Sequence, residues 1–317
     1  MTTISITKNT MNTKGTMKGT FLGRVFIVAI VSSWIIVSTP WARGSVTAPV
    51  AAQGAPSRII SLIPAVSEML FALGAGPQVV AVSSFDDYPP EVLKLPRVGA
   101  LLDPDLERIL SLRPDLVVVY ESQVDLRRQL ERATVPIFVY KHAGLADIAA
   151  TIRQLGARIG RDREAATLVT RIDDHLADIK KRVAGRPRPR TLVVFGRDAL
   201  TLRGIYASGG LGFLDDMLTV AGADNVFADM KRQSVQATTE LILARRPEVI
   251  LELRSGVMPA EQQRREIAVW QALASVPAVR SGRITIINDP RTVVPGPRVA
   301  EGTELFARAL HPEAFGR

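Results

Sequence analysis

Three histidines, four tyrosines and one glycine-rich turn are the residues of this chain with the most obvious chemical reach. A zinc or manganese site needs several imidazoles and carboxylates converging on one point. His142, His175 and His311 are too few and too scattered for that. His142 falls in a loop after a strand, where it reads as a solvated residue or, alternatively, as an axial ligand to haem iron or cobalt. Tyr88, Tyr120, Tyr140 and Tyr206 keep ferric haem open, because a tyrosinate ligates ferric iron. Gly209-Gly210-Leu211-Gly212, ahead of Phe213-Leu214-Asp215-Asp216, resembles a phosphate-cradling loop that opens a helix. It lacks a following Gly-Lys-Ser/Thr and does not match the dinucleotide fingerprint, so it reads as a turn or a close backbone approach to a ligand. No G-x-S-x-G or H-E-x-x-H occurs, and no His has a nucleophile beside it. The absence of Cys excludes disulfides, thiolate metal sites, Fe–S clusters, a Cys nucleophile and a lipid-modified N-terminal Cys. The chain therefore reads as a non-enzyme with no resident cofactor.

The elements that must position these residues follow one plan, used twice. At 317 residues, 47% hydrophobic and 22% charged, the chain is globular and long enough for two lobes. Residues 58–62 form a short apolar run, Pro64 breaks it, and Val66, Met69, Leu70 and Leu73 have helical spacing up to Gly74. Residues 79–82 and 116–120 read as further strands. Such Val/Ile/Leu runs alternating with helices argue for buried parallel strands in α/β layers. The plan restarts at residues 190–195. Residues 106–117 align with 239–250 at an offset of 133, each copy a short helix, an Arg-Pro-acid turn and a strand. Between the halves, Ala165, Leu168, Val169, Ile172, Leu176, Ile179 and Val183 mark the longest helical pattern, over 162–184, with Asp162 as its expected N-cap. The expected divisions are 58–161 for the first lobe, 162–185 for the connecting helix and 186–317 for the second lobe. A helical connector resists bending, which predicts a cleft of small closure.

Charge and the N-terminus bear on location. Lys8, Lys14, Lys18, Arg24 and Arg43 stand in an acid-free segment, leaving 35 of the 40 basic groups against all 31 acids over the rest. The formal +9 is thus mostly N-terminal, which argues against a nucleic-acid partner. The basic segment precedes an uncharged apolar run over 25–37, too short for the bilayer core, as in a Sec-type signal peptide over 1–44. Cleavage is placed after Gly44 or Ala52, the alternative being an uncleaved membrane anchor. Residues 45–57 read as a flexible lead-in. Export argues against cytosolic ATP- or NADH-dependent enzymes.

Ser61-Leu62-Ile63-Pro64-Ala65-Val66-Ser67-Glu68, Ser83-Ser84-Phe85-Asp86-Asp87-Tyr88-Pro89-Pro90, the first Arg-Pro repeat, Ala221-Gly222-Ala223-Asp224-Asn225-Val226-Phe227 and the second Arg-Pro repeat, in this order, resemble the class III periplasmic substrate-binding proteins of ABC importers. The resemblance covers residues 58–312, and the cobalamin-binding branch is nearest. It implies two Rossmann-like α/β lobes joined by one long helix. The implied cargo is a bulky metal complex held in the interlobe cleft, cobalamin first, with a ferric siderophore or haem as the alternative. The implied partner is a permease dimer with its cytoplasmic ATPase subunits, met in the periplasm by a monomeric receptor. By the same resemblance, Glu107 and Glu240 are the acids at the tops of the lobes that dock to permease arginines. Each is also a first-turn acid favoured by the helix dipole.

Ligands in this architecture collect at the carboxyl ends of strands. The expected cargo wall is therefore Pro64, Phe85, Leu101, Tyr120 and Glu121 from the first lobe, with Arg197, Tyr206, Ser234, Arg254 and Arg298 from the second. Leu101 and Ser234 stand where the family's cobalamin members place aromatics. Arg197 and Arg254 are expected to meet carboxylates or phosphate of the cargo, as guanidinium forks do. Trp270 is expected in a core. Metal-tetrapyrrole chelatases share the two-lobed plan and form the rival enzyme class, but they rely on a His acid/base pair.

Overall fold

The computed structural model describes residues 54–316; the expected signal segment and its cleavage points lie outside them. The first lobe runs β1 (Ile59–Ser61), α1 (Pro64–Ala72), β2 (Val79–Val82), α2 (Leu106–Ser111), β3 (Leu116–Tyr120), α3 (Val124–Arg132), β4 (Ile137–Tyr140) and α4 (Leu145–Ile159). A long helix, α5 (Asp162–Val183), leads into the second lobe. That lobe comprises β5 (Arg190–Gly196), β6 (Tyr206–Ser208), α6 (Phe213–Val220), β7 (Asp224–Asn225), β8 (Ser234–Gln236), α7 (Thr239–Arg245), β9 (Val249–Arg254), α8 (Ala260–Ala268), α9 (Pro277–Arg280), β10 (Ile284–Asn288) and α10 (Val299–Leu310). No helix among the described residues is long and apolar enough to cross a membrane.

The first sheet is parallel throughout, in the order β2-β1-β3-β4. Successive strands are added to one side at β1 and β2 and to the other from β3 onward, and this switch between β1 and β3 opens a crevice beyond the carboxyl ends of those two strands. The second sheet is ordered β10-β9-β5-β6-β8, with β7 also on β5. β9, β10 and β7 run parallel with their neighbours, while β6 turns back against β5 and β8 against β6. Continuous apolar strands such as Leu116 to Val119 are buried on both faces, as a parallel sheet between helical layers requires.

The internal repeat has a structural cause. Arg113 and Arg246 both take a left-handed conformation, at φ 48° and 50°, to turn the chain from helix into strand. The acid after each Arg-Pro then anchors the first strand of its own lobe. Asp115 accepts from the Arg58 N–H at 2.8 Å, and Glu248 accepts from the Arg190 N–H at 3.0 Å. Asp115 also accepts from the backbone and hydroxyl of Ser57, at 2.7 and 2.8 Å, and Pro56 is buried. The end of the expected lead-in is therefore tied to the body of the lobe.

The connector α5 has 22 residues, about 33 Å of helix. Arg161, with no capping side-chain bond, occupies the N-cap expected for Asp162; Asp162 instead opens the first turn, where its charge meets the helix dipole. Val169, Ile172 and Ile179 of α5 belong to one apolar cluster with Ile59 and Val118 of the first lobe and Val193 and Phe306 of the second. The lobes therefore share a core through the connector. Each has its own cluster only on the far face of its sheet, around Val117 and Leu130 in the first and around Trp270 and Phe227 in the second.

A polar contact also joins the lobes beside this core. Glu68 of α1 is buried and accepts from Arg298 Nε at 2.9 Å, in a bidentate pair. Burial raises the Glu68 carboxyl against the pull of that guanidinium. Arg298 Cζ lies 3.6 Å from the centroid of the Tyr88 ring. Glu68→Ala is expected to cost about 1–3 kcal/mol, because it leaves a half-buried guanidinium without its carboxylate. The urea midpoint checks this, and an unchanged value would show that the pair contributes nothing.

Candidate functional site

The loops beyond the first sheet are tied into one rim. Asp86 accepts from the Ser83 N–H at 3.0 Å and from its hydroxyl, while Arg97 donates to the carbonyls of Ser83 and Asp86 at 2.8 and 2.7 Å. Gln123 accepts from the Tyr120 N–H at 2.9 Å and donates to the Leu101 carbonyl at 3.1 Å. These bonds fix the segments carrying Phe85, Leu101 and Tyr120 to the ends of β2 and β3. Phe85 is 74% exposed and Leu101 40%, so both present apolar surface to solvent. Pro64 is half-buried as the first residue of α1, and Glu121 is exposed at the end of β3.

On the opposite lobe, the glycine-rich turn is shaped by the chain itself. A Cβ on Gly209 would stand 2.2 Å from the Arg232 carbonyl, and one on Gly210 would stand 2.1 Å from that of Ala228. Only glycine permits this backbone approach to residues 228–232, so the turn is a packing device. Asn225 closes it by donating to the Gly209 carbonyl at 2.9 Å and to Asp215 at 2.8 Å. Gly212, at φ 93°, then opens α6 and leaves Leu211 and Phe213 beside a cavity.

That cavity, of about 310 Å³, is lined by His142 at the end of the first sheet and by Phe195, Leu211, Phe213, Gln233 and Ser234 from the second lobe, among others. Its walls are largely apolar, and it lies where the carboxyl ends of β4 and β5 face each other. Tyr120, Tyr140, His142 and Phe213 form an edge-to-face series across the lobes, with successive ring centroids 5.9, 6.4 and 5.4 Å apart. Two hydrogen bonds strap the segment after β4 to the second lobe. Gln233 donates to the His142 carbonyl at 2.9 Å, and Asp216 accepts from the Leu145 N–H at 2.8 Å. His142 is exposed, and desolvation by its neighbours pushes its pKa down.

A larger cavity, of about 690 Å³, lies on the flank where α1 and α5 meet residues 291–301. Among its charged lining groups Arg298 pairs with Glu68 and Arg291 with Glu301, His175 pairs with Glu304 outside the lining, and Glu91 and Arg171 also line it. The smaller cavity, at the strand ends, is the better receptacle for an apolar guest.

Several expected wall residues stand elsewhere. Arg197 does not reach a cleft: its side chain is wholly buried and pairs with Glu252 at 3.0 Å and Glu266 at 2.7 Å. It also donates to the Thr201 and Glu266 carbonyls at 3.0 Å and lies over the Trp270 ring. Arg254 is half-buried and bound to Glu252, and Arg298 is held by Glu68 and Tyr88. Tyr140 is a buried core residue, and burial pushes its phenol strongly upward. Burial also raises Tyr120. Tyr206, 45% exposed, remains on the second rim. Of the expected wall, Ser234 lines the cavity. The sequence reading passed over Phe195, Leu211, Phe213 and Gln233. Their signal was the end of the apolar run 190–195 and the apolar pair framing Gly212.

Glu107 and Glu240 occupy matching places, each the second residue of its helix behind a capping side chain. Asp105 accepts from the Arg108 N–H at 2.9 Å, and Thr238 accepts from the Leu241 N–H at 3.2 Å. Both glutamates are exposed, and neither forms an ion pair among the described residues. The backbone N–H of Glu240 and the Thr238 hydroxyl hold its carboxyl below the usual range.

Comparison with known proteins brings these features together. Residues 59–290 match the family described as periplasmic binding protein. An uncharacterized ABC transporter substrate-binding lipoprotein, YvrC of Bacillus subtilis (strain 168), is 30% identical over 265 residues, covering 82% of each chain. The vitamin B12-binding protein of Salmonella typhimurium is 34% identical over 238 residues, 74% of this chain and 84% of its own. The crystal structure of the periplasmic vitamin B12 binding protein BtuF of Vibrio cholerae has the same fold, with a TM-score of 0.69 at 24% identity, covering 83% of this chain and 99% of that one.

Proposed function

The chain belongs to the periplasmic binding protein family, and on that premise we propose that it is the exported receptor of an ABC importer, capturing cobalamin between its lobes for a membrane permease. The observation that carries this reading is the apolar cavity at the facing strand ends, lined by His142, Phe195, Leu211 and Phe213 and strapped by Gln233 and Asp216. The 34% identical vitamin B12-binding relative supports the choice of cargo. A corrinoid presents broad apolar faces and polar edges, and such a guest gains affinity mainly by burying those faces in a preformed site. The shared core along α5 favours a cleft that closes little, so release is driven by a permease that prefers the lobes splayed.

The reading is non-enzymatic. His175 is bonded to Glu304 and His311 to the Gly222 carbonyl, so His142 alone faces the cavity and no His acid/base pair assembles there. Calorimetric titration of the purified protein with cobalamin is expected to give one-to-one, submicromolar binding. Tight binding of haemin or a ferric siderophore alone would replace the cargo and keep the receptor. No binding by any of the three would overturn the cargo class.

A further inference from the structure

We propose that the Glu68–Arg298 pair is a latch between the lobes, a positioning device that sets the width of the cleft and the rate at which cargo leaves without touching the cargo. This rests on the receptor reading above and deepens it. Glu68 stands on α1 of the first lobe and Arg298 immediately before α10 of the second, and their side chains are 3% and 16% exposed. The carboxylate and the guanidinium meet as two forks, and among the described residues neither side chain has another hydrogen bond. The Tyr88 ring, from the loop after β2, covers the same guanidinium at 3.6 Å, so two first-lobe groups hold one cation of the second. Burial and the nearby charges of Asp86 and Asp87 disfavour the Glu68 carboxylate, and Arg298 is the group that offsets them.

The surroundings carry the state of this pair to the cargo seat. A Cβ on Gly296 would stand 3.2 Å from Glu68 Oε2 and 3.5 Å from the Ala65 carbonyl oxygen, so the second-lobe backbone lies directly against α1 when the pair is made. Asp289 accepts from Arg291 Nε at 2.9 Å, Arg291 pairs with Glu301 at 3.1 Å, and a Cβ on Gly302 would stand 2.2 Å from the Arg291 carbonyl oxygen. These contacts lock the segment that carries Arg298 onto α10, and the same segment supplies Val293 to the wall of the smaller cavity. Glu68 and Arg298 line the larger cavity instead. Moving Arg298 therefore moves a cargo wall that the pair does not itself form. The apolar core along α5 cannot part without exposing its side chains, whereas both charges of the pair can rehydrate through the larger cavity as they separate. That makes the pair the element with two arrangements, closed while cargo is held and open when a permease splays the lobes.

The test compares the full chain with Glu68→Gln and Arg298→Lys, using cyanocobalamin, haemin and ferrichrome (a ferric hydroxamate siderophore) as probes. Stopped flow follows dissociation. Lobe separation is read from spin labels on Glu131→Cys of α3 and Gln262→Cys of α8, selective because the chain has no other cysteine. Glu68→Gln is expected to lengthen the label distance in the cargo-free protein and to speed dissociation about tenfold, with association nearly unchanged, because losing a charged hydrogen bond is worth that much and related complexes differ mainly in how fast they part. Arg298→Lys keeps the charge and loses the fork, so it should fall between. A purely structural pair would lower the urea midpoint and leave both readouts at wild-type values, which would overturn the latch. Faster dissociation at an unchanged distance would place the pair on the cargo, and a longer distance at an unchanged rate would leave cargo retention to the core along α5; either result overturns the proposal. Failure of all three probes to bind wild type would overturn the receptor reading and the cargo half of this one, whereas the label distance, which needs no cargo, still decides whether the pair latches the lobes. Unfolded chain lowers the amplitude of the dissociation signal and not its rate, so a less stable variant cannot imitate the result.

Discussion

Reversing the charge at both Glu107 and Glu240 is expected to abolish uptake of cargo by whole cells while its affinity for the purified protein stays at the wild-type value. The two acids stand in matching turns of the internal repeat, exposed and free of ion pairs among the described residues, so a pseudo-twofold pair of anions faces outward. A partner built from two like subunits would meet them with two cation pockets. Each exposed pair is worth only about 0.2–1 kcal/mol, so the native contacts orient more than they hold. Reversal acts differently, because like charges brought together at an interface cost several kcal/mol and steer the partners apart. Losing each first-turn acid also costs its helix about 0.3–1 kcal/mol, too little to unfold the chain. Single reversals should leave reduced uptake. Uptake in the double variant at wild-type rate, with the protein present at wild-type level, would refute the docking role.

How far the sequence could be read depended on how local each feature was. The strand ends, the α5 connector and the doubled Arg-Pro-acid turn are written in contiguous residues, because apolar runs and a proline act on their own neighbours. The matching placement of Glu107 and Glu240 was legible for the same reason: the repeat carries both. Cleft chemistry was harder, since it depends on partners far apart in the chain. Arg197 resembles a free cation in sequence, yet its partners Glu252 and Glu266 lie 55 and 69 residues on. Arg298 is held by Glu68 from 230 residues away. Tyr140 and Trp270 differ little as sequence signals, and both are core residues. His142 reads as a solvated loop residue until Phe213 and Gln233 of the other lobe are placed against it.

The misread arginine points to the largest expected loss of stability. Glu252, fully buried at the end of β9, accepts from Arg197 Nε at 3.1 Å and from Trp270 Nε1 at 3.2 Å, and it also holds Arg254. With Glu266 the cluster has two acids and two guanidinium groups, and it is neutral only when complete. Glu252→Ala removes one anion and leaves a wholly buried Arg197 with a single carboxylate. Breaking a buried pair from one side costs about 3–5 kcal/mol, because the surviving charge can neither reach water nor shed its proton. Urea unfolding followed by circular dichroism should show a midpoint lowered in proportion. Glu252→Gln should fall between, since its amide oxygen still accepts from Trp270 while the charge is lost. Below the unfolding range the Glu252→Ala variant should bind cargo as wild type does, because every partner of Arg197 belongs to the second lobe's own interior. A wild-type midpoint coupled with weakened cargo binding would return Arg197 to the cleft and reverse this assignment.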